Sequence, residues 1–130
     1  MLQSCNKSEE ELVIHSDCGQ FAVVDRDRFN ESDSGKFRIE EVNLNGDCLT
    51  IEVVASGCSG RTWEADLIDS GAIAESYPIQ RYMKLILENT ELCNALISRK
   101  FTFDLTPLQT GDEVVTLNLQ DWKEQITYEY

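Results

Sequence analysis

An antiparallel, immunoglobulin-like all-β sandwich is the fold this sequence predicts. Three observations carry that expectation. From about residue 20 onward, short segments of alternating apolar and polar residues follow one another, broken by turn signals roughly every 8–12 residues. Asn45-Gly46 stands between two such segments, a pair favoured in a type I′ turn because both of its central residues need a positive φ. No long stretch has helical periodicity, which favours an antiparallel sandwich over a parallel α/β sheet. A barrel is the alternative closure.

Taken in order, Phe21-Ala22-Val23-Val24 reads as the first strand. Residues 25–36 (DRDRFNESDSGK) form a polar loop with a short helical turn around Phe29. Residues 37–44 and 48–55 are the arms of the hairpin, and Leu49, Ile51, Val53 and Ala55 share one face of its second arm. The small residues Ser56-Gly57-Cys58-Ser59-Gly60 make a loop or bulge. Trp63, Ala65 and Leu67 then alternate inward, as do Met83, Leu85 and Leu87 after the turn at Tyr77-Pro78. Residues 89–98 (NTELCNALIS) are helical in spacing, with Leu92, Ala95 and Leu96 on one side. Phe101, Phe103 and Leu105, then Val115, Leu117 and Leu119, then Ile126, Tyr128 and Tyr130 complete a set of about seven or eight strands. A strict immunoglobulin domain is a poor match, because Trp63 follows Cys58 closely rather than at the long spacing of that family.

The chain has 130 residues, 42% of them hydrophobic, which suits one core. Residues 1–15 read as a polar leader and residues 16–130 as a single sandwich domain. With 24 acidic against 11 basic residues, the formal charge is −13. Such a surface repels phosphate backbones and anionic membranes, since both are held through Lys and Arg. It also keeps a domain soluble. No segment approaches the ~18–20 apolar residues of a membrane span.

Five cysteines, Cys5, Cys18, Cys48, Cys58 and Cys93, are far apart and form no CxxC pair, which fits disulfides better than metal. Cys5 is the odd one out, within the polar run Cys5-Asn6-Lys7-Ser8-Glu9-Glu10-Glu11. Leu2-Gln3-Ser4-Cys5 resembles the tail of a bacterial lipobox, departing at Gln3, where a small or aliphatic residue is commoner. A lipid on Cys5 with a polar tether behind it is therefore one expectation, and an incidental thiol is the other. The remaining four cysteines allow three pairings. Cys18–Cys48 with Cys58–Cys93 is favoured, because Cys18 precedes the first strand, Cys48 opens the third, and the other two lie in loops. Four free thiols are the alternative. An extracytoplasmic, cell-envelope protein follows, with outer-membrane anchoring as the finer expectation.

Ser56-Gly57-Cys58, Glu75-Ser76-Tyr77-Pro78, Glu91-Leu92-Cys93-Asn94-Ala95 and the run Phe101-Thr102-Phe103-Asp104-Leu105-Thr106-Pro107-Leu108 resemble a set of uncharacterised small exported bacterial lipoproteins with a β-sandwich-like domain. The resemblance covers roughly residues 48–108. Members of that set often carry Gly-Gly-Cys-x-x-His. This chain has Ser56-Gly57 for the glycine pair and Arg61 in place of the histidine. The resemblance implies an exported, β-rich, lipid-anchored protein, with no activity attached.

Asp25, Asp27, Glu31 and Asp33 crowd one polar loop with oxygen ligands of the kind calcium prefers. The EF-hand spacing fails at Phe29, so a solvated acidic loop competes with weak calcium binding. Asn6-Lys7-Ser8 and Asn30-Glu31-Ser32 match the N-glycosylation sequon, which matters only in a eukaryotic secretory host. His15 is the only histidine, and its proximity to Cys18 is the sole hint of a thiol nucleophile; no oxyanion donor or further base accompanies it. Trp122, Tyr128 and Tyr130 offer either edge-strand packing or an exposed aromatic contact for a sugar or protein. The expected function is a non-enzymatic module, without cofactor, that binds a protein or small ligand through its loops. A calcium-binding protein is the alternative.

Overall fold

The computed structural model describes residues 17–130. Among them the chain order is β1 (Gln20–Phe21), β2 (Val23–Val24), α1 (Arg26–Glu31), β3 (Arg38–Asn45), β4 (Cys48–Gly57) and β5 (Glu64–Ala74), then β6 (Ile79–Glu88), β7 (Ala95–Asp104), a 3-10 turn at Thr106–Leu108, β8 (Val114–Leu119) and β9 (Ile126–Glu129). These nine strands form two sheets, β9-β8-β6-β5-β2 and β1-β7-β4-β3. One continuous apolar cluster lies between them. It takes Leu49, Ile51, Val53, Phe101 and Phe103 from the smaller sheet, and Leu67, Met83, Leu85, Val115, Leu117 and Tyr128 from the larger. Every alternating face read from the sequence in β4, β5, β6 and β8 is the buried one. Full burial of each such aliphatic side chain contributes about 1.5–3 kcal/mol before entropy is counted.

Both sheets are mixed. β1 runs parallel to β7, β2 parallel to β5, and β6 parallel to β8, while the remaining pairs are antiparallel. The first expected strand, at residues 21–24, is divided between the sheets. β1 pairs in the smaller sheet, the chain bends at buried Ala22, and β2 pairs in the larger.

Two local expectations are corrected. The hairpin between β3 and β4 turns on Gly46 and Asp47, because Asn45 still pairs with Cys48. Gly46 has φ +64° and Asp47 has no positive φ, the pattern of a type II′ rather than a type I′ turn. Residues 89–94 are not helical, and Ala95 and Leu96 open β7. The ladder decides this: Gly57 and Ser56 at the end of β4 pair with Ala95 and Leu96, and a helix there would leave them without partners. Leu92 and Leu96, the residues that gave the helical spacing, are 92% and 71% exposed.

The short helix is α1. Asp25 caps it, its carboxylate accepting from the Arg28 N–H at 3.1 Å. Arg28 reaches Asp66 on β5 at 2.8 Å, and buried Lys84 donates to the carbonyls of Phe29 and Ser32 past the last turn. The helix thus lies against β5.

Candidate functional site

Cys18 is joined to Cys48 and Cys58 to Cys93, with Cα–Cα separations of 5.2 and 4.9 Å. The strand registers place these bridges at opposite ends of the sandwich, Cys48 opposite Asp104 and Cys58 just beyond Gly57, which faces Ala95. Two disulfides in so small a domain point to an oxidising, extracytoplasmic environment.

At the Cys58–Cys93 end, the loop between β4 and β5 folds around one carboxylate. Glu91 Oε1 accepts from the backbone N–H of Cys58 (2.6 Å), Ser59 (3.1 Å) and Gly60 (3.0 Å). Glu91 Oε2 accepts from Thr62, through Oγ1 at 2.6 Å and N–H at 3.3 Å. Successive backbone donors of this kind make an anion-binding nest. The Thr62 hydroxyl, then the Gly60, Cys58 and Ser59 amides, hold the Glu91 carboxyl down at about 2. A Cβ on Gly57 would lie 2.7 Å from Glu91 Oε1 and 2.9 Å from Trp63 Cζ2, so only glycine fits. Arg99 ties the loop to β7 by donating to the carbonyls of Gly60 and Trp63 at 2.6 and 2.8 Å. Apart from the buried Trp63 indole N–H, this end satisfies its own donors.

The other end does not. Asp69 on β5 and Arg81 on β6 both point inward, the first fully buried and the second 6% exposed. Arg81 donates through Nε to Asp69 Oδ1 at 3.2 Å and through Nη2 to Oδ2 at 2.9 Å. A break in the β5–β6 register between Asp69 and Ile73 makes room for this pair. Gly71, at φ +81°, turns its N–H onto Asp69 Oδ2 at 2.8 Å. Arg81 Nη1 has no protein acceptor among the described residues. It is not sealed in the core either, since Trp63 Nε1 is the one buried side-chain nitrogen or oxygen there without a partner.

Arg81 forms the floor of an open cleft of about 640 Å³ between the turn at 75–78 and the loop at 109–113. Ile73 and Ile79 give it an apolar wall, and Glu75 and Asp112 stand in its lining. A second cleft of about 580 Å³ shares Gly111 and Asp112 with it and is lined by Tyr77 and Tyr130. Tyr77 is 89% exposed. The loop is held from beneath: Thr110 donates its N–H to the Tyr130 hydroxyl at 2.7 Å, and Gln109 Nε2 donates to the Tyr128 hydroxyl at 3.1 Å. Tyr128 in turn donates to Asp47 at 2.7 Å. Burial, followed by the Asp47 carboxylate, pushes the Tyr128 phenol up to about 12.

The residues singled out from sequence are distributed as follows. Tyr128 is core, and Trp122 and Tyr130 are half-buried against it, so the three do not make one exposed aromatic patch. Trp122 lines a separate groove of about 580 Å³ with Glu40, Glu41, Asp121 and Glu124, beside the β3 edge. Asp25, Asp27, Glu31 and Asp33, expected as calcium ligands, are strung along and beyond α1, with Asp25 engaged as its cap. Among the described residues no three His, Cys, Asp or Glu side chains come together to hold a metal. Asn30 lies exposed near the end of α1. Cys5, Asn6 and His15 lie outside the described residues. The sequence reading missed Asp69, Arg81 and Glu91. For the first two a signal existed: the inward alternation of Trp63, Ala65 and Leu67 continues to Asp69, and that of Met83, Leu85 and Leu87 extends back to Arg81.

No family model matches the chain, and no curated protein matches it. Solved structures share its fold. One is a protein of unknown function, DUF1344, from Bacteroides vulgatus, with a TM-score of 0.53 and 14% identity over 85% of this chain and 55% of that one. Another, described as a "Putative TOXIN related protein" from Parabacteroides distasonis, has a TM-score of 0.51 and 13% identity over 86% of this chain and 62% of that one. The chain thus spans less than two thirds of either neighbour, and at these identities the likeness concerns the fold alone.

Proposed function

We propose that this chain is a non-enzymatic binding module that works outside the cytoplasm and engages its ligand at the Arg81 end of the sandwich. The observation that carries this reading is the Arg81 side chain, buried on the core side, locked by Asp69 and set in the lining of a cleft with one nitrogen that has no acceptor among the described residues. A buried ion pair is weak as a source of stability, because desolvation offsets much of the attraction. Its place in a cleft lining favours recognition, as a few fixed polar groups set how a ligand is oriented. Two groups held to each other by paired hydrogen bonds suit holding a ligand better than moving protons.

The lipobox-like Leu2-Gln3-Ser4-Cys5 and the two disulfides support a lipid anchor on Cys5 at the bacterial envelope, outer membrane included. Screening a small-molecule fragment library by amide chemical shifts tests the site. Hits should concentrate on residues 73–81 and 109–113. Hits concentrated instead on the groove at 39–42 and 121–124 would overturn this assignment.

A further inference from the structure

We infer that the ligand of the Arg81 cleft is a neutral saccharide. The inference rests on the reading of this cleft as the binding site and adds the chemistry of what enters it. Asp69 cancels the charge of Arg81, so the floor presents an N–H donor without net positive charge. The carboxylates of Glu75 and Asp112 stand in the same lining, and Glu113 and Glu129 line the adjoining cleft. An anionic ligand could accept from Arg81 but would meet the like charge of Glu75 and Asp112. An ammonium group would suit the carboxylates but brings no acceptor of its own for Arg81, leaving that donor unmatched beneath it. A sugar hydroxyl is donor and acceptor at once, and a ring bearing several of them answers floor and rim together.

The apolar surfaces agree. Ile73 and Ile79 offer a wall for the C–H face of a pyranose ring. Tyr77, nearly fully exposed in the lining of the adjoining cleft, supplies a flat ring for a second sugar unit to stack on. The clefts meet at Gly111 and Asp112, so an oligosaccharide running across them would contact both.

The test titrates the ¹⁵N-labelled domain with neutral hexasaccharides built from glucose, mannose, galactose or xylose, and with hexalysine and hexagalacturonate as charged probes. At least one neutral series should shift the amides of residues 73–81 and 109–113 saturably below about 10 mM. Tyr77→Ala should weaken that binding about tenfold without lowering Tm, and Asp112→Ala should weaken it as well. Saturation at these amides by a charged probe alone would overturn the saccharide and leave the cleft as a binding site. Shifts confined to other residues, or none with any probe, would overturn both.

Discussion

The two ends of the sandwich handle their polar groups in opposite ways. Around Cys58–Cys93, four backbone N–H groups and the Thr62 hydroxyl are turned onto Glu91, and Arg99 is tied to carbonyls of the same loop. Around the 75–78 turn, a largely buried guanidinium is matched by Asp69 through Nε and Nη2, and its residue lines the cleft. The first arrangement is a closed structural knot in which only the buried Trp63 indole N–H lacks a partner. The second is complete only with a partner. A loop dense in hydrogen bonds is therefore no guide to function. What distinguishes the binding end is an unmatched charged group that lines a cleft.

The largest effect should come from breaking the charged pair. Asp69→Ala leaves Arg81 buried without its counter-charge and should cost about 3–5 kcal/mol in urea unfolding. An Asp69→Leu, Arg81→Met double variant should recover most of that loss while abolishing fragment binding at the cleft. If the double variant is as unstable as the single one, the pair supports the fold rather than the site.

Next comes the closed end. Replacing Cys58 and Cys93 together by serine should lower stability by roughly 2–5 kcal/mol, since the bridge spans a sequence separation of 35 residues. Binding at the opposite cleft should persist in the folded protein. Loss of that binding would show that the two ends are not independent.

Acid separates the ends further. The Glu91 pKa falls from 4.5 to about 2 on folding, so its contribution is fully present above pH 4.5 and is lost as pH falls toward 2. The difference in urea midpoint between the parent and Glu91→Gln should therefore be widest near neutrality and shrink through that window. A difference that stays constant down to about pH 2 would remove the carboxylate from the account. The smallest expected effect is on the stability of Tyr77→Ala, within about 0.5 kcal/mol, because the ring is exposed. A calorimetric loss well beyond that would make Tyr77 a packing residue.

The core was legible because strand alternation is a local property. Leu49, Ile51, Val53 and Ala55 announce their face without knowing which strand lies beside them. The cysteine pairs were legible in part, from their places at strand ends. Residues 89–98 misled because Leu92 and Leu96 are exposed, and two unburied leucines at helical spacing imitate an apolar stripe. The acidic run at 25–33 left two uses open for another reason: Asp25 serves the helix it starts, a use that composition does not separate from metal binding. Glu91 and the Arg81–Asp69 pair arise from the register of strands distant in sequence, and registers are not written in any single segment.

The Cys18–Cys48 bridge has a mechanical consequence. Tension applied to the chain ahead of Cys18, as a lipid tether on Cys5 would apply it, does not first reach the two-residue strands β1 and β2. It passes through the bridge to Cys48, at the start of a strand flanked by β3 on one side and β7 on the other. The short leading strands are thereby taken out of the load path, and the force falls on the middle of the smaller sheet. An anchored domain built this way resists peeling from its attached end, and reduction of that one bridge would turn its strongest grip into its weakest.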